Sequence, residues 1–303
     1  MDTTKNNKEE HLIRDNVKEC LAHLSRCDGY SVGMTGIPSG FRKIDEITCG
    51  FQKGDVIVIS GLPAMGKTAL ALSMAATMVL DNGSTILFDS FEMNNKRLVN
   101  RLISSVCSIP LHSINSGVLT EEDWKIIERR TISLQHAPLL LDDTPSMTLN
   151  DLRESFHRTM EKFHMKGVFI DSLQHIKTEY KANRTRNDDI SELMYGIKAL
   201  AYELDIPIFV ISSMNRYADR RDSLEGKRPQ LSDLRESGAI EDVADLVMFV
   251  HRPEMFHIYQ DDCGRDLHGA AQIIIAKNRM GRTGDVLLSF KGDYVRFENP
   301  KPF

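Results

Sequence analysis

The chain contains the sequence Gly61-Leu62-Pro63-Ala64-Met65-Gly66-Lys67-Thr68, which comes after the apolar run Val56-Ile57-Val58-Ile59. This is the G-x-x-x-x-G-K-[ST] pattern of a phosphate-binding loop, placed between a predicted strand and a helical pattern that starts near Ala69. Gly61 and Gly66 allow the backbone to turn successive N–H groups towards an anion. The pattern predicts a nucleotide triphosphate site in an α/β fold.

Two side chains of this loop have predicted roles of their own. Lys67 would neutralise charge on the β- and γ-phosphates, and the hydroxyl of Thr68 would bind Mg²⁺. The helix that begins near Lys67 adds the positive end of its dipole. The residues predicted to bind the nucleotide are Gly61, Pro63, Met65, Gly66, Lys67, Thr68 and Ala69.

The composition sets limits on the class of protein. The 303 residues are 41% hydrophobic and 27% charged, which is typical of an ordinary folded protein with one large domain and an appendage. The net charge of −5 excludes a uniformly basic nucleic-acid binder but allows local basic loops. The scattered cysteines contain no C-x-x-C pair, and no histidine pattern predicts a transition-metal site. A polar N-terminus and the absence of an 18-residue apolar run predict a cytoplasmic protein without a membrane span.

Short apolar runs alternate with helical patterns along most of the chain, which predicts a largely parallel sheet covered on both faces. The predicted strands are 55–60, 84–90, 138–142, 166–171, 206–212, 244–250 and 271–277. A final pair, 285–290 and 293–298, predicts an antiparallel hairpin joined at 291–293. The clearest predicted helix is 189–204.

A separate helix is predicted at 9–27, where apolar residues recur at helical spacing. Gly29 and Gly33 then break the pattern, so this helix is detached from the domain after it. Spacing alone leaves two interpretations open: the helix packs on its own domain, or it docks on a neighbouring subunit. The predicted division is a polar tail and linker helix at 1–33 and the main domain at 34–303.

Carboxylates near two strand ends are candidates for the rest of the site. Asp171 ends the buried strand pattern that begins at Gly167, as in a Walker B motif that holds Mg²⁺ through water. The alternative is an aspartate that only caps a turn, and the phosphate loop favours the metal role. Glu92 and Asp89 both lie near the end of strand 84–90, and either could position the attacking water.

Three segments that contain cations can be interpreted either as ordinary solvent-exposed charge or as functional contacts. Lys277 and Arg279 come after an apolar strand, and they are either solvated or directed at the γ-phosphate of an adjacent subunit. The loop 177–187 holds four cations, with Lys181, Arg184 and Arg186 as candidate DNA contacts. The segment 231–240 has one cation and a glycine that allows close backbone approach. Charge runs are usually solvated, so composition alone does not favour DNA contact.

Together these segments resemble the DnaB-type replicative DNA helicases, specifically their C-terminal RecA-like ATPase domain and the linker before it. The resemblance extends over about residues 9–298. It rests on the segments 35–41, 61–68, 91–93, 170–174, 232–241 and 277–279. The run Ser232-Asp233-Leu234-Arg235-Glu236-Ser237-Gly238-Ala239-Ile240 is specific to this family rather than to P-loop ATPases at large.

The resemblance implies a RecA-like fold in a homo-hexameric ring, with ATP and Mg²⁺ between subunits and single-stranded DNA in the channel. It implies that Glu92, rather than Asp89, activates the water. The implied catalytic residues are Glu92, Lys67, Lys277 and Arg279, the last two acting in trans. It also implies that Arg235, Glu236 and Gly238 contact the DNA backbone, and that the helix at 9–27 docks on the next subunit.

The sequence departs from the family pattern at three places. Ser213 stands where members usually have Gln, and Leu62 replaces the usual Arg of the phosphate loop. No counterpart of the N-terminal helical domain, which collars the ring and meets primase, is present in these residues. The expected function is an ATP-driven DNA helicase with a loader or primase as possible partner. The alternative is a RecA-class, DNA-stimulated ATPase that assembles without unwinding.

Overall fold

The computed structural model describes residues 34–178, 184–215, 221, 228–234, 237–261 and 264–300, together with 13–14, 17–18 and 21–22. Within these residues, nine strands form one sheet. They are β1 Val56–Gly61, β2 Ile86–Ser90, β3 Leu139–Asp142, β4 Gly167–Asp171, β5 Ile208–Ser213, β6 Leu246–His251, β7 Ala270–Asn278, β8 Gly284–Lys291 and β9 Arg296–Glu298.

The spatial order of the strands is β3-β2-β4-β5-β1-β6-β7-β8-β9. Neighbouring strands are parallel from β3 to β6 and antiparallel from β6 to β9. Every residue of β1, β2, β4 and β6 is buried, so both faces of the central sheet are covered. The predicted α/β fold with a mostly parallel sheet and a C-terminal antiparallel hairpin is confirmed.

Helices cover this sheet and begin at recognisable capping signals. They are α1 Arg42–Thr48, α2 Lys67–Leu80, α3 Asn95–Cys107, α4 Leu111–Ser116, α5 Glu121–Gln135, α6 Leu149–Phe163, α7 Arg186–Leu204 and α8 Ser237–Val243. The helix predicted at 189–204 starts earlier, because Thr185 and Asp188 form a capping box at the start of α7. The first turn of α7 is polar, so the spacing of apolar residues could not predict where this helix begins.

The C-terminal hairpin has a later turn than predicted. Strand β8 continues to Lys291, and the residues Gly292–Tyr294 form a short 3₁₀ turn. Val295 then has a φ of 51°, so β9 begins only at Arg296 rather than at 293. The predicted connection at 291–293 is therefore wrong by a few residues, since a left-handed residue ends the turn.

Stacked aromatic rings fill the centre of the core. Phe169 of β4 stacks between Phe88 of β2 and Phe209 of β5, with ring centroids 5.5 and 4.2 Å apart. Phe51 meets Phe209 edge to face at 4.7 Å. This aromatic row joins β2, β4 and β5, the three neighbouring parallel strands beside β1.

The predicted linker helix is described only in part. Residues 13–14, 17–18 and 21–22 are helical, and Ile13, Val17 and Leu21 are 77%, 48% and 58% exposed. The remainder of 9–27 lies outside the described residues. Among the helices that the structure describes, none combines the length and the apolar character needed to cross a bilayer.

Candidate active site

The phosphate loop lies between β1 and α2, as predicted. A Cβ atom at Gly61 would lie 2.7 Å from the carbonyl oxygen of Val250 in β6, so only glycine fits there. Gly66 has a φ of 98° and is the N-cap of α2, where no side chain caps the helix. The curled backbone and the uncapped helix end therefore leave N–H groups for an anion.

Apolar side chains anchor the loop from behind. Leu62 and Met65 belong to the hydrophobic core, and so does Ala69 in the first turn of α2, whereas Pro63 is exposed. The leucine that departs from the family pattern is thus a packing residue. Since these side chains point inward, the loop presents mainly backbone and Lys67 to its open side.

The side chain of Lys67 bonds back to the start of the phosphate loop. Its Nζ donates hydrogen bonds to the carbonyl oxygens of Gly61 and Leu62, at 3.0 and 3.1 Å. Burial lowers the pKa of Lys67, while the charges of Glu92 and Asp171 act in the opposite direction. The ammonium group of Lys67 therefore lies near the carboxylates of Glu92 and Asp171, as the predicted site requires.

Thr68 and Asp171 meet across the sheet edge. Thr68 Oγ1 donates a hydrogen bond of 2.8 Å to Asp171 Oδ2, and Asp171 Oδ1 has no hydrogen-bond partner among the residues that the structure describes. Burial raises the pKa of Asp171 to about 6, Glu92 adds to this, and the bond from Thr68 opposes it. An unpaired buried carboxylate oxygen beside a hydroxyl suits a hydrated cation.

The two candidates for the water-activating carboxylate occupy different environments. Asp89 is 0% exposed within β2, and within the described part of the chain neither of its carboxylate oxygens has a hydrogen-bond partner. Burial and the charge of Asp142 raise its pKa well above the usual value. Glu92 lies beyond the end of β2, and 44% of its side chain is exposed. Only Glu92 therefore combines closeness to Lys67 and Asp171 with access to water.

A histidine and an arginine accompany Glu92, and sequence reasoning missed both. His175 Nδ1 lies 3.7 Å from Glu92 Oε1 and 2.9 Å from Ser172 Oγ. Burial lowers the pKa of Arg101 in α3, while the charges of Asp171 and Glu92 raise it, so its guanidinium lies near both. Arg101 comes nine positions after Glu92 inside a helix, where no motif marks it.

An amide side chain lies at the end of β5, although position 213 is a serine. Gln174 Nε2 donates to Ser212 Oγ at 2.9 Å, and the N–H of Ser213 donates to Gln174 Oε1 at 3.2 Å. The glutamine comes from the turn after β4 rather than from β5. It lies in the segment 170–174 that carries the family resemblance, and its side chain joins this segment to the end of β5.

Arg252 and two phenylalanines flank the other side of the loop. The Arg252 guanidinium lies 4.1 Å from the ring centre of Phe290, and its Nη1 reaches the carbonyl oxygen of Ala64 at 3.5 Å. Phe297 packs on Phe290 and lies against Gly66. These residues come from the end of β6 and the C-terminal hairpin, and no local sequence pattern marks them.

Lys277 and Arg279 lie at the opposite edge of the sheet. Lys277 pairs with Val247 near the start of β6, because β7 runs antiparallel to the central strands. The N–H of Arg279 donates to the carbonyl oxygen of Asp245, whose own N–H bonds to Val56 at the start of β1. The six residues of β1 separate these cations from the phosphate loop by about 20 Å. Neither side chain can reach the loop of its own chain.

The structure describes only some of the predicted DNA contacts. Arg184 pairs with Glu192 and Asp189 of α7, and Arg186 donates to the carbonyl oxygen of Gln174 at 2.9 Å. Gly238 is exposed in the first turn of α8. Lys181, Arg235 and Glu236 lie outside the described residues.

Comparisons with known proteins agree with this architecture. The chain is 37% identical over 269 residues to the replicative DNA helicase DnaB of Leifsonia xyli, covering 89% of this chain and 57% of that protein. It is 35% identical to the DnaB of Geobacillus stearothermophilus, covering 95% of this chain and 62% of that protein. The chain thus spans about three fifths of the length of the curated relatives it matches.

Two solved structures share the fold over nearly the whole chain. The ATPase domain of G40P superimposes with a TM-score of 0.87 at 31% identity, covering 97% of this chain and all of that chain. A DnaB-like replicative helicase, described with its interactions with primase, gives 0.83 at 30% identity, covering 98% of this chain and 69% of that chain. The family model of the DnaB-like helicase C terminal domain matches residues 36–299. The chain therefore belongs to the family of DnaB-like helicase C-terminal domains.

Proposed function

We propose that this chain is the ATP-hydrolysing motor of a replicative DNA helicase, acting on single-stranded DNA as a homo-hexameric ring. One observation carries the proposal: the two halves of a hydrolytic site lie at opposite edges of the sheet. The phosphate loop, Asp171 and Glu92 lie at the carboxyl ends of the parallel strands, while Lys277 and Arg279 lie at the other edge. Copies arranged head to tail would bring the two halves together.

The residues of the first half suit ATP and Mg²⁺. Thr68 and Asp171 would hold the cation, Thr68 directly and Asp171 through water, because the hydroxyl and the unpaired Oδ1 of Asp171 lie side by side. When bound, Mg²⁺ neutralises charge on the β- and γ-phosphate oxygens. Lys67 would exchange its two carbonyl partners for phosphate oxygens.

Glu92 would accept a proton from the attacking water. Its exposed carboxylate lies close to Lys67 and Asp171 and therefore close to the expected position of the γ-phosphate. His175, which is itself bonded to Ser172 Oγ, would orient the Glu92 carboxylate. We do not assign this role to Asp89, because its side chain is buried and shielded from water.

Lys277 and Arg279 would stabilise the charge that develops on the γ-phosphate of the adjacent subunit. Such a cation acts only when the subunits meet, which ties hydrolysis to assembly. The exposed positions Ile13, Val17 and Leu21 support the docking of the linker helix on that neighbour. We accordingly propose 1–33 as tail and linker and 34–303 as the ATPase domain.

DNA contact is proposed through Arg235 and Glu236 before α8, through Gly238 in its first turn, and through the loop that holds Lys181, Arg184 and Arg186. The pairing of Arg184 with α7 means that this residue must exchange partners to bind a phosphate. One similar solved structure is described with its interactions with primase, and we propose a primase or a loader as a further partner.

A strand-displacement assay with a forked duplex and ATP tests the proposal. The parent protein should hydrolyse ATP faster with single-stranded DNA and separate the strands, and Lys67→Ala should abolish both activities. Turnover stimulated by DNA without strand separation would support the RecA-class ATPase instead. Unwinding by Lys67→Ala at the parental rate would refute any motor role for this site.

A further inference from the structure

Asp245 occupies the short connection between α8 and β6, at the edge of the sheet opposite the phosphate loop. It is buried, and three groups bind its carboxylate. Oδ2 accepts hydrogen bonds from Lys198 Nζ at 2.6 Å and from the N–H of Val56 at 2.8 Å. Oδ1 accepts one from Arg279 Nη1 at 3.2 Å. The proposed hydrolytic machinery assigns no role to this carboxylate.

We propose that Asp245 is a positioning residue, which fixes Arg279 in the orientation from which it reaches the neighbouring nucleotide. This inference rests on the proposed function of Arg279 in trans. Residue 245 binds Arg279 twice, since its carbonyl oxygen accepts the N–H of Arg279 at 2.9 Å and its carboxylate accepts Nη1. Both the backbone and the side chain of the arginine are thereby fixed to one buried residue.

The remaining contacts of Arg279 leave one side of its guanidinium available. Nη2 donates to the carbonyl oxygen of Asp242 at the end of α8, and 46% of the side chain is exposed. A charged carboxylate is a stronger partner than a neutral carbonyl group. The bond to Asp242 is therefore the one that a phosphate oxygen would replace, while Asp245 keeps hold of Nη1.

Asp245 is itself held firmly by the fold. The N–H of Val56 ties it to the first residue of β1, and Lys198 ties it to α7 while also donating to the carbonyl oxygen of Gly54 at 2.8 Å. Asp55 lies nearby, and burial, with the charge of Asp245, raises the pKa of Asp55 to about 6. Through its contacts with Lys198, Val56 and Arg279, the Asp245 carboxylate links α7, the start of β1 and the residue after β7.

A double-mutant cycle on ATP hydrolysis by the assembled protein with single-stranded DNA tests the proposal. Asp245→Asn keeps an oxygen acceptor for Val56 but removes the charge that holds Arg279. We expect kcat to fall at least about tenfold while KM for ATP changes by less than about threefold, since the affected contact forms in the transition state. In an Arg279→Ala background, Asp245→Asn should lower kcat by no more than about twofold.

The matched control is Lys198→Met, which removes the other cation from the same carboxylate. We expect this variant to unfold at a lower temperature than the parent but to retain kcat within about twofold. If Asp245→Asn does not fold, because it leaves Lys198 buried without its counter-charge, the Asp245→Asn/Lys198→Met double variant replaces it. That protein must still show the loss of kcat without the loss of ATP affinity.

The outcomes separate this inference from the proposed function. If Arg279→Ala lowers kcat and Asp245→Asn does not, the positioning role is overturned and the role in trans stands. An equal loss from Asp245→Asn in both backgrounds also overturns it, because the residue would then act independently of Arg279. If Arg279→Ala retains parental kcat, the proposed role in trans fails and the positioning role fails with it.

Discussion

Thr68 Oγ1 lies 2.8 Å from Asp171 Oδ2, although the two residues are 103 positions apart in the chain. The parallel order of β1 and β4 on either side of β5 brings the phosphate loop and the Walker B strand to one sheet edge. The hydroxyl donates to the carboxylate in this structure. In the proposed nucleotide complex, the same hydroxyl turns its lone pair to the cation.

Thr68→Val should lower kcat/KM for ATP by about 10- to 100-fold, because the variant keeps the shape of the side chain but lacks the hydroxyl. Thr68→Ser, which keeps it, should stay within about threefold of the parent. Titration of the ATPase activity with Mg²⁺ is the measurement, and Thr68→Val should need a higher concentration for half-maximal turnover. Identical Mg²⁺ curves for the three proteins would contradict the metal role.

Glu92→Gln should lower kcat by about 10²- to 10⁴-fold, because glutamine cannot accept a proton from water. Binding of a fluorescent ATP analogue should remain close to that of the parent, since Glu92 contributes to the chemical step. Asp89→Asn is the matched control, and its kcat should stay within about threefold of the parent. The reverse pattern, with Asp89→Asn inactive and Glu92→Gln active, would assign the base to Asp89.

Asp89 should make stability depend on pH. Burial and the charge of Asp142 raise its folded-state pKa well above the value of an exposed aspartate. Below the unfolded-state pKa of Asp89, its carboxyl group is neutral in both states, and its contribution to the free energy of unfolding is at its maximum. Above that pKa, the unfolded chain releases a proton that the folded chain keeps, so stability falls by about 1.4 kcal/mol per pH unit until the folded-state pKa is passed.

Urea unfolding of the parent and of Asp89→Asn at pH 5 and pH 7 measures this effect. Asparagine does not titrate, so the stability of the variant relative to the parent should be greater at pH 7 than at pH 5. The same difference at both pH values would show that Asp89 is ionised in the folded protein.

Mixed assemblies should show that Arg279 serves a neighbouring site. Lys67→Ala and Arg279→Ala subunits, mixed before assembly, should hydrolyse ATP faster than either variant alone. At some interfaces an intact loop from an Arg279→Ala subunit meets an intact arginine from a Lys67→Ala subunit. Mixing either variant with the Lys67→Ala/Arg279→Ala double variant should restore nothing. Without restoration in the first mixture, the proposed role of Arg279 at a neighbouring site would be contradicted.

The sequence predicted those parts of the site that short segments encode. The phosphate loop, Asp171 and Glu92 each lie at or just after the end of a predicted strand, and parallel strands place their carboxyl ends at one edge. The family resemblance, and not the strand pattern, separated Glu92 from Asp89. The structure adds a reason, since Asp89 lies on a buried strand and Glu92 beyond its end.

Other parts depend on contacts between distant segments and could not be predicted. Arg101 and Arg252 come from a helix and a strand end that carry no motif of their own, and the segment that contains Gln174 does not reveal which strand its side chain meets. Gln174 bonds to β5 because β4 and β5 are neighbours, which the order of strands in the chain does not reveal. Likewise, the start of α7 and the turn after β8 depend on side-chain capping and a left-handed residue, to which apolar periodicity is insensitive.

Helix α8 connects two proposed contacts of the motor. It begins at Ser237, directly after the proposed DNA residues Arg235 and Glu236, and the carbonyl groups near its end receive Lys277 and Arg279. Its seven residues span only about 10 Å. So short a helix has few residues that could absorb a shift. If the proposed DNA contact moves the start of α8, we expect the carbonyl groups that hold Lys277 and Arg279 at its end to move as well.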